Sequence, residues 1–131
     1  MRPDAYDIEL YRRAKENLKN AYVPYSEFPV SAILVDKDGN EYTGVNIENA
    51  SYSVTVCAER TAMLKAVSEG AREFDRIVIA TARGNGWPCG TCRQFMYEFS
   101  PDMKVVSGED IDSLEAYTLE ELLPKGFRLE D

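Results

Sequence analysis

The sequence contains no histidine among its 131 residues. A Ser-His-Asp triad, a Cys-His pair and an imidazole metal ligand are therefore excluded, so acid–base chemistry must come from carboxylates, thiols, lysine or tyrosine. Positive charge is also scarce, because 15 lysines and arginines stand against 23 acidic residues and the net charge is −8. This balance argues against nucleic acid or an anionic membrane surface as a partner.

Long apolar runs are missing as well. The amino-terminal segment is charged, and the longest apolar stretches, such as residues 77–80, are far too short to span a bilayer. Apolar residues make up 44% of the chain and charged residues 29%, which is typical of a globular protein with one core. We therefore expect a single domain over residues 1–131, located in the cytoplasm.

Hydrophobic spacing and capping signals predict the order of the elements. Helices are expected over residues 4–22, 57–68 and 89–100, with a last short helix opened by a capping box at Thr118. Strands are expected over residues 30–35, 41–45, 77–81 and 103–107. This order predicts an α/β sandwich in which helices pack on a mixed sheet.

The three cysteines all lie at predicted helix starts. Cys57 opens one helix, while Cys89 and Cys92 open another. Unpaired N–H groups at a helix start stabilise a thiolate. Cys89 and Cys92 are three residues apart, so in a helix both sulfurs face the same way. Three buried free cysteines and a Cys-x-x-Cys redox pair are the alternatives, but the positions and the third thiol favour a metal site.

Three thiolates without a histidine make an incomplete ligand set. Iron–sulfur clusters and structural zinc sites use four protein ligands, so a zinc ion here would keep one position for water, as catalytic zinc does. A carboxylate in that position is the alternative. Glu59 can instead accept a proton from the bound water, and Arg60, if it is not simply a surface arginine, can offset the thiolate charge.

Several motifs together carry a family resemblance. They are AYVPYS at 21–26, GVNIENASY at 44–52, CAERTA at 57–62, PCGTCRQ at 88–94 and ELLP at 121–124. A ligand-x-Glu pair followed by Pro-Cys-x-x-Cys is the signature of zinc nucleobase deaminases. Over nearly its whole length the chain closely resembles the small homotetrameric cytidine deaminases.

The resemblance implies a fold, a cofactor and a reaction. The fold would be a three-layer α/β/α sandwich with a mixed sheet of about five strands. One Zn²⁺ per chain would be held by Cys57, Cys89 and Cys92. The reaction would be hydrolytic deamination of cytidine and deoxycytidine to the uridine forms, as in pyrimidine salvage. A zinc-bound hydroxide would attack C4 of the base, while Glu59 would carry protons to N3 and to the departing ammonia.

The resemblance also implies how a nucleoside would be bound. Asn46 and Glu48 would grip the sugar hydroxyls, since an amide and a carboxylate two positions apart on an extended segment can fork around a ribose edge. Phe28 would lie against the base, and the backbone N–H of Ala58 would lie near its carbonyl oxygen. From the residues alone, Phe28 fits a core or interface role equally well, and Asn-x-Glu fits a turn.

A shared pocket in a homotetramer is a further implication. Ala50, Tyr52 and Phe127 would complete the pocket of a neighbouring subunit, although Phe127 fits a core or interface role equally well. The chain departs from the family pattern at Ser31, where a glycine is usual, and at residues 53–54, where Ser-Val replaces Gly-Leu or Pro-Leu. Neither departure touches the metal ligands or the proton shuttle, so we expect both to bear on packing or nucleoside selectivity.

Two other functional classes remain as alternatives. A blasticidin S-type aminohydrolase shares the three cysteines and the glutamate but resembles the chain less at Asn46, Glu48 and Arg60. A structural zinc module or a Cys-x-x-Cys redox protein would lack the deaminase activity. Deoxycytidylate deaminases and polynucleotide-editing enzymes typically begin the site with histidine, which this chain lacks.

Overall fold

The computed structural model describes residues 1–129. Its helices are α1 (Ala5–Asn17), α2 (Ala58–Ser68), α3 (Gly90–Tyr97) and α4 (Leu119–Leu122). Its strands are β1 (Val30–Asp36), β2 (Glu41–Val45), β3 (Phe74–Thr81), β4 (Lys104–Ser107) and β5 (Glu115–Thr118). The strands form one sheet in the order β2-β1-β3-β4-β5.

The sheet is mixed, as predicted. Strands β3 and β4 run parallel, and the other neighbouring pairs run antiparallel. A parallel pair needs a crossover connection, and α3 lies in the segment that joins β3 to β4. The sequence patterns indicated four strand segments, whereas β5 completes a fifth at the edge of the sheet by pairing with β4.

Helices cover both faces of the sheet. Successive side chains of β1 point to opposite faces, so Ile33 and Val35 meet the α1 side while Ala32 and Leu34 meet the α2 and α3 side. The core therefore has two apolar layers, one on each face of the sheet. This arrangement confirms the predicted three-layer α/β/α sandwich.

The first helix is shorter than predicted. It begins after Asp4, whose carboxylate accepts a hydrogen bond from the Asp7 backbone in a capping box, and it ends at Asn17. A single 3-10 turn follows, so Ala21 lies beyond the helix. The chain turns away there because the Tyr22 N–H donates to the Asn46 carbonyl, which ties the end of this segment to the site described below.

The helices that position the site are short. Helix α2 runs for 11 residues and α3 for 8. Within residues 1–129 no helix is long and apolar enough to cross a membrane. Both helices begin at a cysteine, as predicted, and both start on the same side of the sheet.

Candidate active site

Cys57 is the residue at which α2 begins. It is the N-cap of the helix and has extended backbone angles, and its carbonyl accepts hydrogen bonds from both the N–H and the hydroxyl of Thr61. The start of α2 lies directly on β2. A Cβ at Gly44 would lie 2.5 Å from the Ala58 carbonyl oxygen and from the Ala62 nitrogen. Glycine is therefore required at position 44 for Cys57 to reach its place.

Cys89 and Cys92 occupy the first turn of α3. Cys89 is the N-cap, and its sulfur accepts a hydrogen bond from the Cys92 N–H at 3.5 Å. Cys92 is fully buried, whereas Cys89 is exposed. The sulfurs of Cys57, Cys89 and Cys92 all lie within 4.8 Å of one another. The two helix starts thus bring together the three cysteines that the sequence singled out.

The donor set fits a zinc ion. Sulfurs around a tetrahedral zinc ion lie roughly 3.8 Å apart, and the three sulfurs here lie within 4.8 Å of one another. A hydrogen bond with Cys92, then one from Arg60, lowers the pKa of Cys57 to about 5 despite its burial. The contact with Cys57, together with burial and the Glu59 charge, raises the pKa of Cys92. All three groups can be thiolates at the same time only with a cation between them.

Glu59 lies beside the cysteines and is almost completely buried, with 5% of its surface exposed. Burial raises the pKa of its carboxyl group to about 7, and the charge of Cys57 adds to this effect. Glu59 lines a cavity of about 230 Å³. The other lining residues are Phe28, Val30, Asn46, Thr55, Cys57, Ala58, Asn85, Gly86, Trp87 and Cys89.

Asn46 fixes one wall of this cavity. Its side-chain nitrogen donates to the Phe28 carbonyl at 2.9 Å, and its side-chain oxygen accepts from the Val30 N–H at 2.9 Å. It therefore joins the segment that carries Phe28 to the start of β1. One amide hydrogen of Asn46 remains for another acceptor.

Glu48 lies in a neighbouring cavity rather than in the one that Glu59 lines. Tyr25, Ser26 and Tyr52 line that second cavity with it, and Thr55 borders both. The carboxylate accepts hydrogen bonds from the Tyr25 and Ser26 backbones and from the Ser26 hydroxyl. The hydroxyl contact, followed by the backbone contacts, lowers the pKa of Glu48.

The three residues expected to serve a neighbouring subunit all lie on the surface. Tyr52 is 75% exposed and Phe127 is 64% exposed, and Ala50 is also exposed. The ring of Tyr52 meets that of Tyr25 edge to face at 5.8 Å, and the Phe127 carbonyl accepts a hydrogen bond from Gln94. None of the three lines the cavity that Glu59 lines.

Sequence reasoning missed the wall formed by Asn85, Gly86 and Trp87, in the loop between β3 and α3. The signal was available in part, because Trp87 directly precedes the Pro88-Cys89 pair and a residue next to a metal ligand lies near the site. Thr55 was also missed, although it lies only two residues before Cys57. Neither position belongs to a motif of its own.

Comparison with known proteins identifies the family. Residues 5–109 match the model of the cytidine and deoxycytidylate deaminase zinc-binding region, a stretch that contains all three cysteines and Glu59. The chain therefore belongs to the cytidine and deoxycytidylate deaminases, which are zinc-dependent hydrolases. The family and the zinc cofactor predicted from the sequence are both confirmed.

Individual relatives agree with this assignment. A cytidine deaminase of Sporosarcina psychrophila is 47% identical over 128 residues, which cover 95% of this chain and 94% of the relative. One of Halalkalibacterium halodurans is 48% identical over 124 residues, covering 93% and 94%. A crystal structure of the Burkholderia pseudomallei cytidine deaminase superposes with a TM-score of 0.86 at 39% identity, over 95% of this chain and 100% of that one.

The rival aminohydrolase is more distant. A blasticidin-S deaminase of Bacillus cereus is 34% identical over 127 residues, which cover 90% of this chain and 89% of that protein. The identities of 47% and 48% therefore favour the cytidine deaminase interpretation.

Proposed function

We propose that this protein converts cytidine and deoxycytidine to uridine and deoxyuridine by hydrolysis, with release of ammonia. The observation that carries the proposal is the buried Glu59 carboxylate beside three clustered thiols, at the wall of a cavity that an aromatic ring also lines. Membership of the deaminase family supports the same reaction.

Cys57, Cys89 and Cys92 would hold the zinc ion. When bound, zinc supplies a positive charge that lowers the pKa of a water molecule. The rest of the chemistry falls to this chain's own groups. Because thiol ligands must stay reduced, and all three cysteines are free, we place the protein in a reducing compartment, the cytoplasm.

Glu59 would move the protons. The carboxylate takes a proton from the attacking water and delivers it to N3 of the base as the water oxygen bonds to C4. It then takes the remaining proton of the added hydroxyl and gives it to the exocyclic nitrogen. The C4–N4 bond breaks, the C4 carbonyl forms, and ammonia leaves. Water and cytidine are thus fully accounted for in uridine and ammonia.

The remaining cavity residues would position the nucleoside. Phe28 offers a ring face to the base, and the Ala58 N–H can donate to the base carbonyl. Asn46 and Glu48 would bind the sugar hydroxyls, and the spare amide hydrogen of Asn46 supports its part of this assignment. A neutral nucleoside needs no cationic funnel, so a net charge of −8 suits it better than a nucleic acid.

We also propose that the protein is a homotetramer whose subunits share their pockets. In and near the segment that leads to Cys57, five apolar side chains are more than 40% exposed. Single exposed apolar residues are normal on a protein surface, but a group of them is typical of an interaction surface. They are Tyr22, Tyr25, Ile47, Tyr52 and Val54. Ala50, Tyr52 and Phe127 would then contribute to a neighbour's pocket. Light scattering tests this directly, and a monomeric mass would contradict the shared pocket.

Ammonia release from a panel of substrates tests the proposed reaction. We expect the zinc-loaded protein to act on cytidine and deoxycytidine in preference to blasticidin S. Glu59→Gln should keep its zinc but lose at least about 100-fold in turnover, because the amide cannot carry a proton. The matched control is Glu69→Gln, at the opposite end of α2. A folded, zinc-loaded protein that is inert towards all three substrates would overturn the proposal.

A further inference from the structure

Trp87 is a large aromatic side chain of the candidate active site that no part of the proposed chemistry uses. It lines the same cavity as Phe28 and Glu59, and it directly precedes Pro88 and Cys89. Part of its surface packs against the apolar core. It is also the only tryptophan in the sequence.

The indole of Trp87 packs against a second aromatic ring. Its indole meets the ring of Tyr117, on β5, edge to face, with the ring centroids 5.4 Å apart. Aromatic pairs in this geometry stabilise each other beyond the area they bury. The indole is therefore held by a strand at the edge of the sheet as well as by its own loop.

The backbone before Trp87 packs closely against β3. A Cβ on Gly86 would lie 2.6 Å from Cγ2 of Thr81 and 3.1 Å from Cγ2 of Ile79. The Gly86 N–H donates to the hydroxyl of Ser107 at 3.3 Å, and that buried hydroxyl donates to the Ile79 carbonyl at 3.0 Å. The loop is thus packed against β3 and hydrogen-bonded to β4, with no space between Gly86 and the sheet for a side chain.

The orientation of the base decides which of its edges meets this wall. The inference rests on the proposed function, in which C4 lies at the cysteines, N3 faces Glu59 and the base carbonyl faces the Ala58 N–H. Both Glu59 and Ala58 belong to the first turn of α2. In a pyrimidine ring, C4 has N3 on one side and C5 on the other, so the C5 edge must face the loop that leads into α3.

We propose that Trp87 is a specificity-determining residue that limits the size of the substituent at C5 of the cytosine ring. A closely packed wall disfavours added carbon atoms because making space for them displaces side chains and backbone from their packed positions. One methylene group more or less in such a pocket changes kcat/KM by roughly 10- to 200-fold.

The test compares kcat/KM for cytidine, 5-methylcytidine and 5-ethylcytidine. Alkyl substituents change size with little change in the electronics of the ring. In the unaltered protein we expect 5-ethylcytidine to react at least about tenfold less efficiently than cytidine. Trp87→Ala should raise the ratio of 5-ethylcytidine to cytidine by about tenfold or more, with 5-methylcytidine in between. Trp87→Phe, which keeps a ring of smaller width, should raise it by less.

Tyr117 provides the matched pair of controls. Tyr117→Phe keeps the edge-to-face ring and should leave the ratio unchanged, whereas Tyr117→Ala frees the indole and should raise the ratio. The proposal is overturned if the unaltered protein accepts 5-ethylcytidine as readily as cytidine, or if Trp87→Phe and Trp87→Ala both leave the ratio flat. Failure of the proposed function is a different result, namely no ammonia from cytidine itself.

Fluorescence gives a second readout that does not depend on turnover. Excitation at the red edge of the absorption band reports on Trp87 alone, because the chain has no other tryptophan. Uridine, the product of the proposed reaction, should change the emission of Glu59→Gln as it binds, and 5-ethyluridine should require higher concentrations to do so. Emission that does not respond to saturating uridine would contradict contact between Trp87 and the base.

Discussion

Nη2 of Arg60 lies 3.6 Å from Sγ of Cys57, within hydrogen-bonding distance for sulfur, and the same nitrogen lies 3.4 Å from the Thr55 carbonyl oxygen. Hydrogen bonding to Cys57 raises the pKa of Arg60, so the guanidinium is always charged. Three thiolates and one Zn²⁺ together carry a net negative charge. The cation on the first turn of α2 reduces this excess at Cys57.

Removing this cation should weaken metal binding. We expect Arg60→Gln to lower zinc affinity on the order of 10- to 100-fold, the usual cost of losing a group that supports a metal ligand. Competition with a chromophoric chelator measures this directly. Arg72→Gln is the control, because the Arg72 side chain donates to the carbonyls of Val67, in the last turn of α2, and of Ala71, at the end of the helix away from Cys57. Equal zinc affinity in Arg60→Gln and the unaltered protein would contradict the role.

A second arginine contacts Phe28, the residue proposed to lie against the base. The guanidinium carbon of Arg83 lies 5.1 Å from the centroid of the Phe28 ring, while Arg83 lies outside the cavity that Phe28 lines. A cation–π contact at an exposed site contributes about 0.5–1 kcal/mol. Arg83→Ala should therefore raise KM for cytidine about two- to fivefold with kcat unchanged. Arg83→Lys should restore part of the loss, and Arg12→Ala, on α1, should have no effect. A fall in kcat alone would show that the ring does not act on substrate binding.

Two buried serines should respond oppositely to the same substitution. Ser31 and Ser107 are both fully buried, but the Ser31 hydroxyl has no hydrogen-bond partner within residues 1–129, whereas Ser107 bonds to Gly86 and Ile79. A buried hydroxyl without a partner is costly. Ser31→Ala should raise the free energy of unfolding by about 1 kcal/mol and Ser107→Ala should lower it by about as much. Urea denaturation of the zinc-loaded protein measures both, and a shift of the same sign in both would refute the prediction.

A buried charge supports the start of α1. Asp7 is fully buried, with its carboxylate 2.9 Å from Nη1 of Arg76 and 2.5 Å from Nζ of Lys104. Asp7→Ala should lower the free energy of unfolding by about 3 kcal/mol, because two poorly exposed cations lose the one partner that is fully buried. Asp75 also pairs with Arg76 but is 43% exposed, so Asp75→Ala should cost less than about 1 kcal/mol. Thermal unfolding of the two variants compares them, and equal losses would contradict the argument.

The positions of the three cysteines could be predicted from local signals in the sequence. Cys57 and Cys89 begin helices because the residues around them define caps and the following turns, and a spacing of three is enough to turn Cys92 towards Cys89. The family motifs span the same short stretches. Each of these features depends on residues that are close together in the sequence, so the sequence alone was enough to predict it.

Contacts between distant segments were out of reach. Strand β5 has only four residues, of which Ala116 alone is buried, so it exists through its pairing with β4 rather than through a pattern of its own. The place of Trp87 depends on Tyr117, and the separate pocket of Glu48 depends on Ser26. None of these partners is close enough in sequence to produce a periodic signal.

The placement of the cysteines at two helix starts makes the metal a cross-link. Zinc held by Cys57, Cys89 and Cys92 would join α2 to α3 and close a loop that contains all of β3. Such a closure restricts the unfolded chain, as a disulfide does. In a reducing compartment, where disulfides do not persist, the metal would therefore serve as the cross-link between α2 and α3. Removing it with a chelator would loosen the connection between the two helices as well as abolish turnover.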